Sequence, residues 1–326
     1  MTALRALFIG GGGLISSACS RAALERGSDL TIVTRGNSTR HTLPDGALHL
    51  RADARDEASL RDALSKREFD TVVNFIAFTP EDIERDLKLF AGRTGQYIFI
   101  STTSVYHRPV AQLPIVESTP RRNSAWPYPK NKIACELLLE QAYREQDFPV
   151  TIVRPCHTYD RAALPMHGGW TIVDRMRRGK AVVVHGDGTS LWALTHHRDF
   201  ARGFVALLGN PHAIGDSVHI TSEEILTWDQ IYRCIASAAG VEPRLVHRAS
   251  EQIAEVLPDW GPSLVADFAH SLIFDNTKIR RFAPGFVATI PFAMGAREIV
   301  DWYDANPSLR QVDQAVDAAL DRLVGL

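Results

Sequence analysis

Leu7-Phe8-Ile9-Gly10-Gly11-Gly12-Gly13-Leu14-Ile15-Ser16 joins an apolar run directly to four glycines. The run from Leu4 to Ile9 is interrupted only by Arg5 and predicts a buried strand, and residues 14–26 have helical spacing. Glycines at such a junction let the backbone approach a pyrophosphate, which the positive end of the following helix stabilises. Tight turns also need glycine, but the strand before it and the helix after it favour a dinucleotide-binding turn.

Strands and helices alternate regularly from this turn to residue 156. β-Branched apolar runs predict the strands, and amphipathic segments between them predict the helices. The predicted strands are 4–9, 29–34, 48–53, 70–76, 96–100 and 150–155, and the predicted helices are 14–26, 57–67, 80–90 and 131–145. This alternation predicts an α/β fold with a doubly wound parallel (Rossmann) sheet.

The regular alternation of strands and helices ends after Cys156, and loops and helices dominate the rest of the chain. We expect residues 1–156 to form the dinucleotide-binding domain, with residues 193–222 returning to its sheet. Residues 157–326 should mainly form a smaller, substrate-binding lobe over the carboxyl edge of the sheet, where open α/β sheets bind ligands.

The composition is typical of a globular protein. The 326 residues are 45% hydrophobic and 23% charged, with a formal net charge of −2. The dispersed basic residues predict no nucleic-acid partner, and the short apolar runs predict no membrane span. Four separated cysteines (Cys19, Cys135, Cys156 and Cys234) predict reduced thiols. We therefore expect a cytoplasmic protein.

Tyr128-Pro129-Lys130-Asn131-Lys132 places a phenol and an ammonium four residues apart at the start of a predicted helix, so that both project from one face. A phenol with a pKa of about 10 is a weak acid–base group at neutral pH, and a nearby cation lowers that pKa. A hydroxyl from a separate strand end, such as Thr102, can orient the substrate oxygen. Taken alone, the pair is also compatible with two surface residues.

The order and spacing of these segments resemble the extended short-chain dehydrogenase/reductase family, which contains nucleotide-sugar epimerases and dehydratases. The glycine segment resembles the family's G-G-x-G-[FY]-I-G turn, with Ser16 at the last glycine, and Tyr128 and Lys132 match its Y-x-x-x-K pair. Three further segments also resemble family motifs: Ser101-Thr102-Thr103-Ser104-Val105-Tyr106, Arg154-Pro155, and Gly186-Asp187-Gly188 with Asp199.

The resemblance implies a nicotinamide-dependent enzyme with assigned residue roles. Tyr128 would be the general acid/base, Lys132 would lower its pKa and hold the nicotinamide ribose, and Thr102 would hydrogen-bond the reacting oxygen. Asp53 would contact the adenine, or else cap its own loop. The implied cofactor-binding residues are Gly10, Gly13, Leu14, Ile15, Arg35, Asp53, Phe75, Tyr128, Lys132 and Pro155.

One departure from the family concerns the cofactor. Thr34 replaces the NAD-specific aspartate at the end of the second strand, and Arg35 follows it. An acidic residue there repels a 2′-phosphate, whereas arginine binds one. We therefore predict that NADP is preferred over NAD, unless Arg35 is only a solvated loop residue.

Other departures concern the substrate. Thr103-Ser104 stand where the dehydratases carry an Asp-Glu pair, so sugar 4,6-dehydration is not expected. Trp192 replaces a diphosphate-binding arginine and offers an indole for stacking, while His157 replaces an asparagine. Thr103, His157 and Trp192 are therefore the predicted substrate-binding residues of a substrate that is not a nucleotide sugar. His157 can equally be a satisfied polar residue, and Arg280 or Arg281 can compensate for the lost arginine.

The histidines of the second half suggest a metal site, but their spacing does not support one. His196 and His197 are adjacent, and neighbours on a strand point to opposite faces. The chain also lacks HxH and HExxH spacing, so no metal is predicted.

The predicted function is a hydride transfer to or from a secondary alcohol or ketone of a sugar- or polyol-like molecule, as an epimerase or a net reductase. The alternative is a non-catalytic relative that senses a cofactor or binds RNA. The family also implies a homodimer formed through the Tyr/Lys helix, in which Ile133 and Leu137-Leu138-Leu139 would serve either the interface or the core.

Overall fold

The computed structural model describes residues 2–37, 41–65, 67–123 and 126–325. Strands and helices alternate through the first half of the chain. Their bounds are β1 Arg5–Ile9, α1 Leu14–Glu25, β2 Asp29–Thr34, β3 Leu48–Arg51, α2 Glu57–Leu64, β4 Phe69–Asn74, α3 Pro80–Phe90, β5 Thr94–Ile100, α4 Pro127–Gln146 and β6 Val150–Pro155.

Shorter strands and more helices make up the second half. Their bounds are β7 His157–Tyr159, α5 Trp170–Arg177, β8 Val182–His185, β9 Leu191–Trp192, β10 Leu194–His196, α6 His197–Phe204, β11 Ser217–Ile220, β12 Leu226–Thr227, α7 Trp228–Ala238, β13 Leu245–Arg248, α8 Ser250–Val256, α9 Gly261–Ser263, α10 Thr277–Phe282, α11 Phe292–Ala305 and α12 Gln314–Gly325. A π-helical turn, Leu264–Phe268, follows α9 directly.

The central sheet is parallel throughout and, in the described part of the chain, has seven strands in the order β11-β6-β5-β4-β1-β2-β3. From β1 the chain builds outward through β2 and β3, and then returns to place β4 on the other side of β1. The doubly wound α/β fold predicted from the sequence is therefore confirmed. The strand order reverses between β1 and β4, and sheets of this type bind ligands in a crevice at the carboxyl ends of the strands beside such a reversal.

Two of the element boundaries that differ from the predicted ones have local explanations. Helix α2 ends at Leu64 because Ser65 has a φ of 51°, a left-handed conformation that does not continue a helix. Helix α4 begins at Pro127, earlier than expected, because proline is compatible with the first helical turn. The earlier start places Tyr128 within the helix.

Apolar side chains cover both faces of the sheet. Phe8, Ile32 and Val73 belong to the same buried cluster as residues of α1 and α6, whereas Leu7 and Val72 pack with the helices on the opposite face. A third cluster fills the second half of the chain and includes Trp170, Trp192 and Trp228. Helices on both sides explain why the central strands are apolar on both faces.

Strand β11 belongs to the central sheet although it lies in the second half of the chain. It pairs with β6, with Ser217 opposite Ile152 and Ile220 opposite Pro155. This pairing lies within residues 193–222, which we expected to return to the sheet, while the domain boundary at residue 156 stays a prediction. Among the described residues, no helix is long and apolar enough to cross a membrane.

Candidate active site

The glycine turn leaves no space for side chains at two positions. Gly10 has a φ of +90°, and a Cβ added there would lie 2.5 Å from Cγ2 of Ile76. A Cβ on Gly11 would lie 2.7 Å from Cγ2 of Ile32. Both contacts are far below van der Waals distance, so the close packing of the turn on the strand ends requires glycine.

Ser16, where the family pattern has a glycine, closes this turn. Its hydroxyl donates to the carbonyl oxygen of Gly10 and accepts from the amide of Gly13, both at 2.7 Å. The first backbone N–H groups of a helix have no hydrogen-bond partner within the helix. Those of Leu14 and Ile15 are therefore available to bind an anion. A side-chain-free cradle in front of a helix end fits the pyrophosphate of a dinucleotide.

Tyr128 and Thr102 meet at the carboxyl edge of the sheet. Tyr128 lies in the first turn of α4, and its phenol lies beside the hydroxyl of Thr102, which follows β5. The Thr102 oxygen also accepts from the amide of Ser104 at 3.1 Å. Two segments that are distant in sequence thus bring a phenol and a hydroxyl together, as the motifs predict.

The pKa of Tyr128 differs from our expectation. Burial raises it, the hydrogen bond from Thr102 opposes that shift, and the carboxylate of Asp267 raises it further. The expected lowering by Lys132 is not seen in this structure. Burial alone disfavours the phenolate, so a positive charge closer to the phenol is needed to offset it.

Lys132 is buried and firmly held. Its ammonium donates to the carbonyl oxygens of Ala77 and Ile100, both at 2.7 Å, and lies 4.6 Å from the ring centre of Phe78 and 4.7 Å from that of Phe99. Burial lowers the pKa of Lys132 to about 8. An ammonium has three N–H donors, so one remains for a ligand in the crevice.

A buried ion pair anchors the helix that carries Tyr128 and Lys132. Glu136, one turn after Lys132, accepts from Arg154 Nε at 2.9 Å and Nη2 at 2.7 Å, and from the Ser101 hydroxyl at 2.5 Å. Arg154 therefore has a structural role beside Pro155, the last residue of β6. The fork-to-carboxylate geometry fixes α4 relative to the ends of β5 and β6.

At the end of β2, where we expect the adenosine of the cofactor, the chain carries arginines and no acidic residue. Arg35 is exposed, and Arg51 of β3 lies opposite Thr34 in the strand register. The neighbouring residues 38–40 lie outside the described residues. Asp53 accepts from the amide of Arg55 at 3.0 Å, so it caps its own loop, and a contact with adenine stays a prediction.

Phe75 is placed differently from the other predicted cofactor residues. Its ring lies in the core, 5.2 Å from the ring centre of Phe8 and 5.8 Å from that of Phe204. Only its backbone can therefore face a cofactor. Ile76 and Phe78, which follow it, are 37% and 41% exposed at the same strand end. Sequence analysis missed these two residues as candidates for lining the crevice.

The predicted substrate residues are close together but mostly covered. His157 Nδ1 accepts from Trp192 Nε1 at 3.0 Å, and burial lowers the pKa of His157 to about 4, so the imidazole is neutral. Trp192 is only 2% exposed because Trp228 and Phe268 pack against it. The stacking face that we expected from Trp192 is therefore already used within the protein. Thr103 is buried as well.

A segment from the second half of the chain completes this region and was not predicted. Asp267 accepts from the Ser104 hydroxyl at 2.7 Å and from Arg108 Nε at 3.0 Å. Phe268 lies beside the predicted substrate residues, with its ring centre 5.6 Å from that of His157. No local motif marks either residue, since 163 positions separate Ser104 from Asp267.

The adjacent histidines do not lie on one strand, contrary to the prediction. His196 ends β10 and His197 begins α6, so the two residues do not share a strand, and their ring centres lie only 4.7 Å apart. His196 pairs with Glu298 at 3.2 Å, and His197 hydrogen-bonds the carbonyl oxygen of Leu14. Within the described ranges, no group of three or more potential metal ligands is present.

The chain is similar in sequence and in fold to known proteins. The chain is 25% identical over 87% of its length to 2′-dehydrokanamycin reductase from Streptomyces kanamyceticus, covering 80% of that protein. It is 26% identical over 74% of its length to chloroplast stem-loop binding protein of 41 kDa b from Arabidopsis thaliana, and spans 65% of the plant protein. The fold is similar to that of an epimerase from Methanothermobacter thermautotrophicus, with a TM-score of 0.77, 17% identity and 94% of both chains covered. Residues 6–221 match the model of the NAD dependent epimerase/dehydratase family, and the chain belongs to this family.

Proposed function

We propose that this protein is a nicotinamide-dependent reductase or epimerase that acts on a secondary alcohol or ketone of a sugar- or polyol-like molecule. The observation that carries the proposal is that α4 places Tyr128 beside Thr102 and Lys132 against Ala77 and Ile100, all at the carboxyl ends of β4 and β5. Bound nicotinamide would accept or supply a hydride. Proton transfer and the binding of the substrate oxygen and of the ribose would be carried out by side chains of this protein.

Tyr128 would move the proton. In the reducing direction its hydroxyl gives a proton to the substrate oxygen, while the Thr102 hydroxyl hydrogen-bonds the same oxygen and holds it near the phenol. The free N–H of Lys132 would bind the ribose next to the nicotinamide. The positive charge of an oxidised nicotinamide would also lower the raised pKa of Tyr128.

We propose NADP as the preferred cofactor and NAD as the alternative. Thr34 carries no charge that would repel a 2′-phosphate, and the exposed Arg35 and the neighbouring Arg51 are positive. A guanidinium binds phosphate through two parallel hydrogen bonds, which favours the phosphorylated cofactor.

The substrate we propose is a small polyhydroxylated ring rather than a nucleotide sugar. Position 192 has no arginine to bind a diphosphate, and the chain is similar to a protein named for reduction of a dehydro-aminoglycoside. Thr103 and Ser104 provide no acid for elimination of water, which argues against dehydration. We further propose a homodimer formed through α4, where Leu137 is 51% exposed.

A non-catalytic role is the second candidate, because a plant relative is named as a stem-loop binding protein. The full set of Thr102, Tyr128 and Lys132 favours an enzyme. The first experiment is to denature the purified protein, identify any nucleotide released, and titrate the cofactor-free protein with NADH and NADPH. Retained NAD(H) would indicate an epimerase, and weaker, NADPH-selective binding a net reductase. Failure to bind either would overturn the proposed function.

A further inference from the structure

A buried carboxylate lies on the substrate side of the candidate catalytic residues. Asp267 is 4% exposed and belongs to the π-helical turn Leu264–Phe268 of the second half of the chain. Its Oδ2 accepts from the Ser104 hydroxyl at 2.7 Å, and its Oδ1 accepts from Arg108 Nε at 3.0 Å. Nη2 of the same guanidinium forms an ion pair with Oδ1 at 3.0 Å. Turns of this type are frequent at functional sites.

Asp267 is connected to the catalytic hydroxyl through one residue. Ser104 donates its hydroxyl to Asp267 and its amide to the Thr102 oxygen, so Asp267 and Thr102 are second neighbours in a hydrogen-bonded chain. The carboxylate also acts on the Tyr128 phenol through its charge. The next residue, Phe268, packs on Trp192, a predicted substrate residue. Asp267 therefore lies between the proton-transfer groups and the aromatic side chains that pack around Trp192.

Packing alone does not explain a charge at this position. A buried ion pair such as Asp267 and Arg108 stabilises a fold no better than apolar residues of the same size. The carboxylate has about four lone-pair sites, of which the hydrogen bonds from Arg108 Nε and the Ser104 hydroxyl occupy two. Acceptor sites therefore remain for a hydrogen-bond donor on a ligand.

We propose that Asp267 is a specificity-determining residue that accepts a hydrogen bond from a hydroxyl group on the carbon next to the reacting carbon of the substrate. This inference rests on the proposed hydride-transfer function. It narrows the substrate class to α-hydroxy ketones and the corresponding vicinal diols. A ketone without the neighbouring hydroxyl would leave the buried acceptor without a donor, which costs affinity in the transition state.

The test compares two probes, 2-hydroxycyclohexanone and cyclohexanone, each reduced with NADPH. We expect the wild-type protein to favour the hydroxy ketone in kcat/KM by about 10- to 100-fold, the range for a hydrogen bond to a charged group. Asp267→Asn keeps the side-chain size and removes the charge. It should lower kcat/KM for the hydroxy ketone at least about tenfold more than kcat/KM for cyclohexanone, so that the preference between the two probes is lost.

Asp317→Asn is the matched control, because Asp317 is also a buried aspartate paired with an arginine, Arg175, but lies on α12. It should leave the preference between the probes unchanged. Equal turnover of both probes by the wild type, or an equal loss with both in Asp267→Asn, would overturn the role of Asp267 and leave the proposed function standing. Turnover of neither probe by a wild-type protein that binds the nucleotide would overturn the role of Asp267 alone, whereas failure of the wild type to bind either NADPH or NADH would overturn both.

Discussion

At the scale of single residues, Tyr128 and Thr102 carry the chemistry that we propose. The first prediction is that Tyr128→Phe lowers kcat by about 10²- to 10⁴-fold, the usual contribution of a positioned acid–base group. The ring is retained, so the dissociation constant of NADPH should change by less than about twofold. Stopped-flow turnover and a fluorescence titration measure the two quantities. Wild-type turnover in this variant would remove Tyr128 from the mechanism.

Arg35 tests the cofactor preference. It is exposed and forms no hydrogen bond or ion pair with the described residues, so its replacement should not disturb the fold. We expect Arg35→Ala to weaken NADPH binding by about 10- to 100-fold, because a charge-assisted hydrogen bond is lost, and to leave NADH binding unchanged. Isothermal titration with both nucleotides measures this. Arg55→Ala is the control, an exposed arginine in the following loop, and equal effects of the two variants on NADPH binding would contradict the prediction.

At the scale of elements, the Glu136–Arg154 pair fixes helix α4 and thereby Tyr128 and Lys132, the candidate catalytic pair. Arg154 is 1% exposed and Glu136 is 0% exposed. Arg154→Met should lower the free energy of unfolding by about 1.5–3 kcal/mol, the range for hydrogen bonds to a charged group, because Glu136 loses its two-point partner and keeps only Arg121, at 2.7 Å, as a cation. Urea denaturation followed by circular dichroism measures the change.

The double variant Arg154→Met/Glu136→Leu separates a lost partner from lost packing. Removing both charges should restore most of the stability, since an apolar pair of similar size can replace a buried ion pair. A double variant as unstable as the single one would show that Arg154 acts mainly by filling space around Tyr106, over whose ring its guanidinium lies at 5.1 Å.

The same scale shows what sequence analysis can and cannot reach. The glycine turn and the Tyr128–Lys132 pair could be predicted from the sequence because each is formed by residues within one turn of the chain. The contact of Ser104 with Asp267 was not, since it joins distant segments that carry no shared pattern. The burial of Trp192 likewise depends on Phe268, which only the folded chain brings against it. The periodicity of apolar residues predicts helices and strands. Packing between segments that are distant in sequence decides which side chains remain exposed to a ligand.

At the scale of the whole molecule, three histidines gather with aromatic rings in the second half of the chain. His157, His167 and His185 each lie within 6.0 Å, between ring centres, of Phe268. Burial lowers the pKa of each to about 4, so all three are neutral in the folded protein at pH 7. In the unfolded chain a histidine has a pKa of about 6.5. The unfolded state therefore binds more protons than the folded state between these two values.

This difference predicts a loss of stability in acid. The contribution of these histidines to the free energy of unfolding is fully present above about pH 6.5. It falls as the pH drops from about 6.5 to about 4, by up to about 1.4 kcal/mol per pH unit for each histidine. Urea unfolding at a series of pH values measures the slope. His167→Gln should make that slope shallower by up to one histidine's share, whereas His212→Gln, at an exposed position, should leave it unchanged. Parallel slopes for wild type and His167→Gln would mean that His167 becomes protonated in the folded protein without opening the aromatic cluster.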